Sequence, residues 1–125
     1  SMSIEITSGS VDDFFASAKE TARDIDQGKR LTRKNRIWVA PEDMMLLLKA
    51  ERTNLVQYLR EQKKVSFTDL TKKLNRSAVS LNSDLKLLSK YNLVHVHKES
   101  NPGHGQHKVV ETNLGSEKIE FRVEI

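Results

Sequence analysis

The stretch TDLTKKLNRSAVSLNSDLKLL, residues 68 to 88, constrains the fold more than any other part of the chain. Apolar positions recur at three- and four-residue spacing on both sides of Asn75-Arg76-Ser77, so two short helices must abut at that turn. Ser77 supplies the N-cap of the second, which runs to about Lys90, and Ser66 with Asp69 forms a capping box for the first, over residues 67 to 74. At about 100° per residue, Ala78, Leu81, Leu85 and Leu88 cluster on one side of the second helix and form its expected buried stripe. The opposite side carries Val79, Ser80, Ser83, Lys86 and Lys90, with Arg76 and Ser77 at its start. That side is short and polar first, then basic.

Such a surface suits close approach to a nucleic-acid duplex. Short Val, Ser and Asn side chains let the backbone near base edges in a major groove, where a hydroxyl donates or accepts and Val79 meets a thymine methyl group. Arg76 and the helix N-terminus then face a phosphate, and lysines at the flanks neutralise others. Charge supports the reading through its distribution. The formal +4 divides into −4 over residues 1–27, +4 over 28–59, +6 over 60–108 and −2 over 109–125. A cationic middle between anionic ends suits a polyanionic partner.

The remaining chain supplies one framework for these helices. Residues 2–7 alternate Ile4 and Ile6 with polar neighbours and predict a half-buried strand. Ser10 with Asp13 opens a helix over 11–27, stopped by Gly28, whose apolar seam is Val11, Phe14, Phe15, Ala18, Ala22 and Ile25. The basic run 28–36 reads as a solvated loop, 36–40 as a strand containing Trp38, and Pro41 opens a helical stretch expected to break near Lys49 to Thr53. Residues 91–99 and KVVET read as two strands joined by the Pro/Gly loop SNPGHGQH. A last strand spans 119–125, where Ile119, Phe121, Val123 and Ile125 alternate.

This order of helix, short helix, turn, recognition helix and hairpin resembles the winged helix-turn-helix, and residues 50–112 resemble MarR-like prokaryotic transcriptional regulators. The full chain is similar to small bacterial and archaeal predicted transcriptional regulators, some of them antitoxin components of toxin–antitoxin pairs. The matching motifs are Phe14-Phe15, Leu74-Asn75-Arg76 through Leu81, Asp84-Leu85-Lys86 and Leu88, and Arg122-Val123-Glu124-Ile125. Asn75 and Asn92 stand where glycine is common in that group. Serines replace longer polar residues on the recognition helix, and the wing tip is rich in histidine.

The expected architecture is therefore α+β, with an N-terminal strand and helix (1–47), a winged helix-turn-helix (48–112) and a C-terminal strand (113–125). The expected function is sequence-specific double-stranded DNA binding. Arg76, Ser77, Val79, Ser80, Ser83 and Lys86 are assigned to the groove, and Lys72, Lys73, Lys90, Lys98 and Lys108 to phosphates. Asp84 reads as a structural acid paired with a nearby Lys or Arg. The apolar faces of the terminal strands and the first helix imply a homodimer reading an inverted repeat. A competing reading is a protein-binding module whose acidic first helix neutralises a basic toxin protein.

Other classes find little support. No apolar run is long enough to span a bilayer, and zero cysteines remove disulfides, thiolate metal sites and cysteine nucleophiles, in keeping with a cytoplasmic protein. Ser1-Met2 reads as a tag scar before a native start, with no signal peptide after it. Glycine-rich phosphate loops and catalytic metal motifs are missing, so no enzyme and no cofactor is expected. His95 and His97 share a strand face and, with His104 or His107, offer nitrogen ligands for zinc or nickel. No dedicated acid completes that set in sequence, so the wing is read as polar and metal-free.

Overall fold

The computed structural model describes residues 3–28 and 35–124. Most of the basic run expected as a loop, and the final Ile125, lie outside them. Two compact units emerge, one from residues 1–45 with 117–125, the other from 46–116.

In the first unit β1 (Ser3–Ser8) is the central strand of a three-stranded parallel sheet, with β2 (Asn35–Val39) on one side and β6 (Lys118–Arg122) on the other. Register runs Ile4 to Asn35 and to Ile119, and Ile6 to Ile37 and to Phe121. This corrects the half-buried strand expected from alternation. Glu5 and Thr7 are as enclosed as Ile4 and Ile6, and buried polar groups require partners. Thr7 Oγ1 donates to Glu5 Oε1 at 2.7 Å, and Arg36 Nε donates to the same oxygen at 3.0 Å. Both edges of β1 are also filled within the chain, so β1 has no edge left for strand pairing across a dimer.

Parallel neighbours need a crossover, and α1 (Val11–Asp26) provides the one between β1 and β2. Its start follows local chemistry: Ser10 accepts from the Asp13 amide, and the Asp13 carboxylate accepts from the Ser10 amide. The Asp13 carboxyl is held below its usual range by these Ser10 contacts, the backbone one first. Just before it, Gly9 donates to the Val39 carbonyl at 3.2 Å, and a Cβ there would sit 2.5 Å from the Trp38 ring. Only glycine admits that approach. The seam of α1 is not buried at all: Phe14 meets Trp38 edge-on at 6.2 Å, yet it stays 45% exposed and Phe15 56%.

α2 (Pro41–Leu47) carries the chain from the first unit into the second, and α3 (Ala50–Gln62) follows after a break at residues 48 and 49, at the near end of the expected interval. Then come β3 (Lys64–Ser66), α4 (Phe67–Leu74), α5 (Ala78–Lys90), β4 (His95–Asn101) and β5 (Gly105–Glu111). The strands form an antiparallel sheet in the order β3-β5-β4. This is the connectivity of a winged helix-turn-helix, and with the parallel sheet it makes the chain an α+β protein. Leu55, Leu59, Leu70, Leu81, Leu85, Leu88, Leu93 and Val110 are buried in this unit. Each fully buried leucine contributes about 1.5–3 kcal/mol of transfer free energy.

Asparagine makes the reversals at both ends of the second helix of the helix-turn-helix. Asn75, between α4 and α5, has φ +52°, and Asn92, after α5, has φ +57°. Asparagine tolerates the left-handed region better than other residues with a Cβ, which accounts for its presence where glycine is common.

Candidate nucleic-acid interface

α5 is placed by one apolar stripe and one acid. Leu81, Leu85 and Leu88 are buried as expected, but Ala78 is exposed and Asp84, 3% exposed, takes its place. On the helical wheel the buried arc is turned roughly 50° toward the Leu88 and Asp84 side of the one drawn around Leu85. The cause is electrostatic. A buried carboxylate needs partners, and Asp84 has two: Arg52 Nε of α3 at 2.9 Å and Arg76 Nη2 of the turn at 2.7 Å. Arg52 also donates to the Leu46 carbonyl at 2.7 Å, tying α5 to the start of the unit.

Arg76 therefore does not stand where the sequence reading placed it. Its Nη2 bonds Asp84 and the Ser80 hydroxyl, the latter at 2.6 Å, while Nη1 is enclosed without a hydrogen-bond partner. The guanidinium is committed inward instead of facing a phosphate, and it takes the Ser80 side chain with it. Ser77, as the N-cap, accepts from the Ser80 amide at 3.1 Å.

What α5 displays is a narrower set. Val79 is 81% exposed, and Asn82, Ser83, Lys86 and Lys90 are exposed beside it. Asn82 falls near the leucine stripe on an unrotated wheel, so periodicity alone does not assign it to this face. Ser77 and the pair Lys72 and Lys73 at the end of α4 are exposed as well. Lys90 Nζ lies over the Tyr91 ring, 5.5 Å from its centre.

The wing divides its two lysines. Lys98, paired in register with Lys108 across β4 and β5, is exposed. Lys108, expected on phosphate, instead turns toward the helices: its ammonium donates to Asn82 Oδ1 of α5 and sits 4.2 Å from the centre of the Phe67 ring of α4. It pins the wing to the recognition helix. Lys64 of β3 pairs with Glu99 of β4; that hydrogen bond raises the lysine above its usual pKa and lowers the glutamate below its own, so both stay charged through neutral pH.

The four wing histidines separate. His95 and His97 stack at 5.0 Å between ring centres, and both approach Glu111, which is in register opposite His95. His104 lies in the exposed turn and His107 faces Glu99 in register. The nitrogen ligands that the spacing brought together are thus His95 and His97 alone, with an acid from β5.

Among the described residues no helix is long and apolar enough to cross a membrane. No curated protein matches the chain. A solved structure of a transcriptional regulator homologue protein from Pyrococcus horikoshii OT3 is similar at 22% identity over 58% of this chain and 76% of that one, with a TM-score of 0.45. The matching family model spans residues 47–113, from the end of α2 through the wing, and on that match the chain belongs to the HVO_A0114 family.

Proposed function

We propose that this protein is a MarR-like, non-enzymatic transcription regulator that binds double-stranded DNA, with α5 in the major groove and the β4–β5 wing along the backbone. One observation carries the reading: Val79, Asn82, Ser83 and Lys86 share the exposed face of a helix whose leucines and buried acid hold it rigidly to the unit. Short side chains at the centre permit backbone approach, and Lys72, Lys73, Lys86, Lys90 and Lys98 provide cations around it. Arg76, Ser80 and Lys108 support this surface from beneath and are not assigned to DNA.

The test is a selection of bound genomic fragments followed by anisotropy titration across salt. Ser83→Ala should change the preferred base at one position, at a cost of about 1–3 kcal/mol for the former site. Lys98→Ala should weaken all duplexes alike and lower the slope of log K against log salt by about 1. Absence of salt-dependent duplex binding at micromolar protein would end the reading.

A second reading has its own observation. Val11, Phe14, Phe15 and Ile25 are exposed on the acidic α1, a surface suited to a second copy of the chain or to a basic toxin protein. We favour the second copy, because a homodimer would present two recognition helices to two half-sites of one duplex. Regulation of its own operon is compatible with either.

A further inference from the structure

We propose that His95, His97 and Glu111 form a binding site for a divalent transition metal ion of the zinc class at the base of the wing. The two histidines project from one face of β4, two residues apart, and their rings stack with an interplanar angle of 20°. Glu111 stands opposite His95 in the β4–β5 register, so its carboxylate emerges on the same face. One ligand atom from each of the three lies within 4.8 Å of the other two. Tetrahedral coordination with bonds of about 2.0–2.2 Å places ligand atoms roughly 3.3 Å apart, within reach of small side-chain rotations.

One buried ring nitrogen at this point lacks a hydrogen bond. His97 Nε2 lies 3.1 Å from Glu111 Oε1, but it is buried and makes no hydrogen bond. A ring nitrogen without a hydrogen bond beside a carboxylate oxygen is a pair that a metal ion between them would satisfy. Lys64, in register with Glu111 on the other side, hydrogen-bonds Glu99 and acts on Glu111 through space, leaving His97 Nε2 without a partner. Two imidazoles and one carboxylate match the borderline preference of Zn²⁺ and leave a fourth position for water. The bound ion would clasp β4 to β5 where the wing leaves the body of the unit. The effect of that clasp on duplex binding rests on the proposed function; occupancy of the site does not.

The test uses the full chain and needs no DNA: Zn²⁺ titration against a chromophoric chelator, with Co²⁺ absorption as a report on geometry. One equivalent should bind at micromolar or tighter affinity, with Co²⁺ bands of four-coordinate intensity. His97→Ala and Glu111→Gln should each lower affinity by at least about tenfold, while the double variant His104→Ala/His107→Ala should leave it unchanged. Far-UV circular dichroism and a second variant, His95→Gln, guard against loss through misfolding. No binding by the folded wild-type chain at about 0.1 mM Zn²⁺ would mean an imidazole–carboxylate pair only. Binding that disappears with His104 and His107 while surviving His97→Ala would place the metal at the tip, and either result overturns the proposal.

Discussion

Asp84 shows how far one side chain can govern a surface. Its sequence neighbours suggested a structural acid with a basic partner, and the structure supplies two, Arg52 and Arg76. The identity of the second was not legible: Arg76 begins the helix, where a cation facing a phosphate is chemically reasonable, and only the burial of Asp84 draws it inward. Replacing Asp84 by Ala would leave two partly buried guanidinium groups, 16% and 17% exposed, without a counter-charge. We expect a loss of about 3 kcal/mol in urea unfolding of the full chain, the low end for a broken buried pair. Exposed Ser83→Ala should stay within about 0.5 kcal/mol in the same experiment. A shared phenotype for the two would mean that Asp84 does not hold α5.

Among the elements, those with local signals were read well and those without were not. α1 begins one residue after Ser10 and α4 spans 67–74 as expected, because a capping serine, an acid three positions on and a periodic apolar face all lie inside the element. β3 was missed, since three residues cannot show alternation and its existence depends on pairing with β5. α1 is also distinctive in burying none of its residues, so its stability rests unusually heavily on its own cap. Ser10→Ala should cost about 1 kcal/mol of helix stability, measured as faster amide exchange over residues 11–15. The pH dependence follows from Asp13. Its carboxyl is held below the ordinary value, so it stabilises the folded cap above that value, and the contribution is lost as pH falls through the folded pKa. Protection factors in the first turn, taken relative to the intrinsic exchange rate at each pH, should therefore fall on acidification below about pH 4, and Asp13→Ala should abolish that acid-dependent part.

At the scale of the molecule, the chain joins a parallel sheet whose helix shows aromatic residues to solvent with a winged unit whose recognition helix shows small polar ones. If α1 supports a homodimer, Phe14→Ser with Phe15→Ser should convert dimer to monomer at micromolar concentration by light scattering, with the fold retained by circular dichroism. A wild-type chain that is already monomeric would favour a different partner for α1. The amino-acid sequence by itself determined the helix limits, the hairpin, the α+β class and most of the exposed face of α5, because caps, turns and hydrophobic periods act over a few residues. Tertiary structure alone decided the pairing of β1 with both β2 and β6, the inward turn of Arg76 and Lys108, the rotation of α5 and the meeting of His95 and His97 with Glu111. Each of those depends on groups distant in the chain, where burial and charge pairing outweigh what any local pattern can specify.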